Sequence, residues 1–122
     1  MSKKSYYVVL FYVLLVMSVS NQTEAATVLI KQSLTMSSSK KGRVSLVWKK
    51  DSHCSGYQVV MSTDKSFAKN TRSRTYGKMN KVTVTGLQSQ KTYYAKVRGI
   101  KKSSNGKKIY GKYSNVKKCK IK

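Results

Sequence analysis

The sequence predicts an all-β sandwich of about seven short strands in a single domain. Three observations lead there. Helical periodicity is missing after residue 26, while apolar and polar residues alternate in run after run. The runs are short and separated by Ser, Asn, Gly and Lys, as turns require. No internal repeat of 20–50 residues is present, so the runs belong to one unit and not to an array.

The first element lies outside that unit. Lys3 and Lys4 form a basic start, Tyr6 to Val19 is apolar except for Ser18, and Thr23-Glu24-Ala25-Ala26 offers small residues. This is the layout of a secretory signal peptide over residues 1–25, a short N-terminal helix cleaved near Ala25 or Ala26. The apolar run is shorter than the roughly 20 residues of a spanning helix. An uncleaved anchor is the rival reading. No cysteine follows the run to take a lipid, and the C-terminus carries no apolar tail.

The remaining domain, 27–122, divides as follows. Thr27 to Met36 reads as a first strand, weakly patterned, and Ser37 to Gly42 as a polar turn. Arg43 to Lys49 places Val44, Leu46 and Trp48 on one face. After a loop at Lys50 to Gly56, Tyr57 to Ser62 groups Tyr57, Val59 and Met61. Thr63 to Lys78 is polar, with room for one short strand at Arg72 to Tyr76. Lys81 to Thr85 turns Val82 and Val84 inward. Gly86 permits a turn and Leu87 closes the end of the sandwich. Lys91 to Ile100 puts Tyr93, Ala95 and Val97 on one face and Tyr94, Lys96 and Arg98 on the other. Ser103 to Lys108 is a turn, and Lys112 to Lys122 a last strand.

Inward parity makes Trp48, Tyr57 and Tyr93 core residues and not a binding stripe. Tyr93 follows Leu87 by six residues, the spacing of a tyrosine corner, in which the hydroxyl reaches back to the backbone of the crossing loop. A buried phenol needs such a partner. Tyr94 reads as an outward cross-strand packer.

The stretches "VSLVW" (44–48), "SGYQVVMST" (55–63), "VTVTGL" (82–87), "KTYYAKVRG" (91–99) and "YGKYSNV" (110–116) stand in an order and spacing that resembles a fibronectin type III domain, of the lysine-rich kind found in bacterial extracellular proteins. Trp48, Tyr57, Leu87 and Tyr93 match that family's core positions, and Tyr113-Ser114 its entry to the last strand. The usual proline near the first strand is missing. The resemblance implies an immunoglobulin-like two-sheet antiparallel sandwich. It also implies that Cys54 and Cys119 lie on strands flanking a common neighbour, near opposite ends and separated by roughly 20 Å along the strands at about 3.3 Å per residue. A bridge needs Cα atoms within about 7 Å, so an intramolecular disulfide is not expected. Cys119 has core parity. Cys54, if exposed, could pair between chains.

Chemistry is sparse. His53 beside Asp51 and Cys54 is one crowded loop, which does not close a four-ligand metal shell. Asp51, His53 and Ser55 in one short loop lack the geometry of a triad. No phosphate-cradling glycine loop or paired carboxylate is present. Neither an enzyme nor a cofactor is expected.

The charge is the informative feature. The chain has 26 Lys+Arg against 3 Asp+Glu, a formal net charge of +23. Outward lysines blunt sheet edges and keep a protein soluble, but solubility alone does not require so one-sided a balance. Bases occur on every segment, which reads as a coat with no neutral face. They concentrate somewhat over residues 96–112, making Lys96, Arg98, Lys101, Lys102, Lys107, Lys108 and Lys112 the candidate contacts for a polyanion. The expected function is a secreted or cell-surface, non-catalytic binding and adhesion module for an anionic polymer. The bacterial resemblance favours a wall polymer over nucleic acid or sulfated glycan. The alternative is a structural module that associates with other proteins through a sheet edge or through Cys54. A membrane-active cationic protein is a third class, but the amphipathic helix it would use is missing.

Overall fold

The computed structural model describes residue 29 and residues 31–122. The signal segment expected at 1–25 lies outside the described residues, as do positions 27, 28 and 30 of the expected first strand.

Eight strands form two antiparallel sheets: β1 (Leu34–Ser37), β2 (Val44–Trp48), β3 (Gly56–Ser62), β4 (Arg72–Tyr76), β5 (Lys81–Val84), β6 (Thr92–Lys102), β7 (Lys108–Tyr110) and β8 (Lys117–Lys120). One sheet runs β1-β2-β5 and the other β4-β3-β6-β7, with β8 also paired to β6. The inner faces meet in a core where Val44, Leu46 and Trp48 of β2 oppose Tyr57, Val59 and Met61 of β3 and Tyr93, Ala95 and Val97 of β6. Trp48 is the centrepiece, its ring 5.6 Å from Tyr57 and 6.2 Å from Tyr76 between centroids, both tilted. Such pairs add about 0.5–1.5 kcal/mol to the burial itself. The described residues thus hold two sheets and a core of their own, which is what a stretch needs to fold alone.

Two differences from the expected strands have physical causes. Among the described residues the first strand spans Leu34–Ser37, and 31–33 before it are not in strand. Leu34 pairs with Trp48, the last residue of β2, so the ladder has no further partner toward the N-terminus. The last strand, expected over 112–122, is shortened to β8, and a separate β7 precedes it where part of the turn was expected. β7 pairs with the far end of β6 through Ile100↔Tyr110 and Lys102↔Lys108. β8 pairs with the near end through Thr92↔Lys120 and Ala95↔Lys117. Between them a side chain replaces a ladder partner. Ser114 N donates to Val97 O at 2.7 Å, and Val97 N donates to Ser114 Oγ at 3.0 Å. Lys108 therefore opens a strand instead of closing the turn, which is tightened by Ser103 N to Lys107 O at 2.8 Å.

The two open flanks of the sandwich differ. On the β1–β8 flank, Gly42 N donates to Lys122 O at 2.9 Å and Lys122 N to Ser38 Oγ at 3.0 Å, which ties the sheets together. The β4–β5 flank has a cavity where the other has a seam.

Candidate functional site

The tyrosine corner forms as its spacing predicts: Gln88 N donates to Tyr93 Oη at 3.1 Å, and Tyr93 is buried. Gly86 makes the preceding turn at φ +71°, in the region that favours glycine. Leu87 is buried and donates its N–H to Gly42 O at 3.0 Å.

The loop at 51–56 is structural. Tyr57 Oη accepts from Asp51 N at 2.6 Å, fixing the loop over the core. Asp51 Oδ1 takes the His53 N–H at 2.9 Å and lies 3.1 Å from His53 Nδ1, whose ring is open to solvent. Burial pushes the Cys54 thiol up to about 11, with the nearby Asp51 carboxylate acting in the same direction. Burial likewise raises the Tyr57 phenol. Cys54 is 3% exposed. Its Sγ fills the place a side chain at Gly99 would need. This corrects the expected association through Cys54: glycine on β6 leaves a hole that the thiol plugs, so it does not reach solvent. Both cysteines are free. Cys119 pairs with Tyr93 on β6 whereas Cys54 abuts Gly99, six residues away along the same strand. Among the described residues no three His, Cys, Asp or Glu side chains come together as metal ligands.

The register sorts the basic residues by face, because directly paired residues point the same way. On the three-stranded sheet the outward positions are Thr35 and Ser37 of β1, Ser45 and Val47 of β2, and Lys81 and Thr83 of β5. Only one of these six is a base. On the five-stranded sheet β6 turns Lys96, Arg98 and Lys102 outward. Lys108 stands opposite Lys102, Lys118 opposite Tyr94, and Lys120 opposite Thr92. Within the strands the bases are unevenly placed, while exposed loop bases, Arg43 and Lys49 at the ends of β2 among them, surround both sheets. More of the charge carried within strands lies on the five-stranded sheet, since parity and not only composition decides where a lysine points.

The basic face is ordered by aromatic rings. Lys96 Nζ lies 4.5 Å from the Phe67 centroid and 4.3 Å from that of Tyr113. Arg98 Cζ lies 4.0 Å from the Tyr110 centroid and 4.5 Å from Tyr113. Each cation is thus held between two rings, an arrangement worth about 0.5–1 kcal/mol per contact at exposed sites. Arg98 Nε also donates to Gln58 Oε1 at 2.7 Å. Of the seven sequence candidates, Lys96, Arg98, Lys102 and Lys108 share this face. Lys101 pairs with Ile109 and points to the opposite side. Lys107 lies in the turn and Lys112 in the connection between β7 and β8; both are exposed. Lys118 and Lys120 join the face and were not among the candidates. The signal for them was the alternation of β8, which sets Cys119 and Ile121 inward. Tyr113 and Phe67 lie outside the strands, and no periodicity marks them.

No protein-family model and no curated protein matches the chain. Solved structures do. An Fn3-like protein from Clostridium thermocellum superposes with a TM-score of 0.61 at 19% identity, covering 80% of this chain and 95% of the other. The FN5 domain of Drosophila Lar gives 0.58 at 16% identity, over 77% and 97% of the two chains. The sixth fibronectin type III domain of human fibronectin type III domain containing protein 3 gives 0.60 at 15% identity, over 76% and 85%. At these identities the likeness is one of architecture, and the architecture is the fibronectin type III fold.

Proposed function

We propose that the chain is a secreted, non-catalytic interaction module that holds an anionic polymer against the outer face of its five-stranded sheet. The observation that carries this reading is the outward row Lys96, Arg98 and Lys102 on β6, flanked by Lys108, Lys118 and Lys120. Alternate residues on a strand recur at about 6.6 Å. The row therefore presents Lys96 and Arg98 one such step apart and Lys102 two steps further on, past the buried Ile100, to a chain of repeating negative groups. The rings hold Lys96 and Arg98 in place, so less side-chain freedom is lost when a ligand binds. Binding proceeds by neutralising the anions and releasing counterions. A polyphosphate-like polymer of the cell envelope fits this better than duplex nucleic acid, because the face is a flat sheet without a helix or ribbon to enter a groove. Fibronectin type III modules are commonly extracellular, which agrees with the signal-like start of the sequence.

The test is retention of residues 27–122 on purified wall polymer, DNA and heparin across a salt series. Affinity is expected to fall steeply with salt. Replacing Lys102, Lys108, Lys118 and Lys120 by Ser should weaken binding at least tenfold more than replacing Lys40, Lys41, Lys49 and Lys50, which removes the same charge elsewhere. A flat salt response, or equal losses in the two variants, rejects the reading.

A further inference from the structure

The β4–β5 flank carries a second feature that the polymer face does not use. β4 pairs with β3 through Met61↔Arg72, Val59↔Arg74 and Tyr57↔Tyr76. Met61, Val59 and Tyr57 all point into the core. By register Arg72 and Arg74 therefore sit on the interior side of the sheet, where a strand ordinarily carries apolar residues. Both are nonetheless exposed, because this flank of the sandwich stays open. Between the sheets lies a cavity of about 270 Å³ with Val59, Met61, Val84 and Leu87 in its lining and Arg72 and Arg74 beside them. A second hollow of about 450 Å³ continues it past Arg72 and Tyr93 to Lys91. Small-molecule sites fall at about 300–1,000 Å³ and are apolar with a few placed polar groups.

Neither guanidinium is ion-paired with a carboxylate of the described residues. Asp64 is engaged by Ser66 and Ala68. Both guanidiniums are exposed at the rim of the cavity and open to an anion from solution. A planar guanidinium suits carboxylate or phosphate in a bidentate way. An apolar floor next to two such groups calls for a ligand with an apolar tail and an anionic head.

We propose that this cleft binds a single-chain anionic amphiphile, its alkyl chain between the sheets over Val59, Met61, Val84 and Leu87 and its carboxylate or phosphate head on Arg72 and Arg74. The site is independent of the polymer face, which lies on the opposite side of the five-stranded sheet.

The experiment follows the methyl resonances of Val59, Val84 and Leu87 in residues 27–122 during titration with decanoate, decyl phosphate, decanol and inorganic phosphate, all below micelle-forming concentrations. Saturable shifts are expected with both anionic amphiphiles, and binding of decanol at least tenfold weaker. Tighter binding of decanoate would mark a fatty-acid site, and tighter binding of decyl phosphate a phospholipid-type one. Inorganic phosphate alone should leave the methyls unmoved. Arg72→Ser with Arg74→Ser, both on the surface, should weaken the anionic ligands at least tenfold. Val84→Phe should do so by filling the cavity with both arginines intact, melting temperature serving as the check on folding. The Ser variant at Lys102, Lys108, Lys118 and Lys120 should bind the amphiphiles as the parent does. Unmoved methyls, undiminished binding without the two arginines, or loss of binding in the polymer-face variant would each overturn the proposal.

Discussion

A single thiol shows how tightly this small core is filled. Cys54 occupies the space that the missing side chain of Gly99 leaves, and its ionisation is suppressed from 9.0 to about 11, chiefly by burial. The folded chain therefore holds this proton more firmly than the unfolded one. The stability that follows is fully present below pH 9 and is lost as pH rises toward 11. Its size is on the order of 2–3 kcal/mol at the full shift. Urea unfolding between pH 8 and pH 10.5 should show a steeper loss in the parent than in Cys54→Ala, which has no thiol at that position to titrate. Equal slopes would mean that the thiol reaches water. At this scale the sequence was readable wherever parity spoke. Trp48, Tyr57, Leu87 and Tyr93 are buried where alternation and the corner spacing put them. Cys54 was not readable in this way, because it lies in a loop, and loops have no period. Its burial depends on a glycine 45 positions later, a relation that only the fold creates.

Among the elements, the shortened final strand is the one whose pattern misled. Lys112 to Lys122 alternates enough to suggest continuous pairing. Instead the backbone leaves the ladder after Tyr110 and rejoins it at Lys117. Ser114 bridges the gap by serving Val97 with both its N–H and its hydroxyl oxygen. It is 5% exposed, so water does not easily take over either role. Ser114→Ala should strip the Val97 N–H of its acceptor and cost about 1–3 kcal/mol. Denaturation should report that loss, and hydrogen exchange should be faster at Val97 than at its neighbours on β6. An unchanged exchange rate would mean that another acceptor moves in. The strand at Arg72 to Tyr76, by contrast, appears where the polar stretch of 63–78 left room for one. An edge strand is set by its own pattern and one neighbour. The last strand had to satisfy β6, the turn at 103–107 and the tie to Ser38 together.

At the scale of the whole molecule, charge opposes folding. A formal net charge of +23 repels itself, and the repulsion falls as salt shortens the screening length from about 30 Å at 0.01 M to about 3 Å at 1 M. Residues 27–122 should thus melt higher at 0.5 M sodium chloride than at 0.01 M. A gain of about 1 kcal/mol would appear as roughly 4–8 °C in a domain of this size. Scanning calorimetry across the series checks it, and a melting point that falls with salt would contradict it. Composition foretold the amount of charge but not its placement. Within the strands the placement follows from pairing, which turns six bases outward on the five-stranded sheet and one lysine on the other. Such a molecule is an electric dipole as well as a cation, and a negatively charged boundary would turn it before touching it. Adsorbed copies would lie with one orientation and show the liquid the less charged outer face of the three-stranded sheet. A second layer would find nothing to grip, so coverage should stop at one molecule deep.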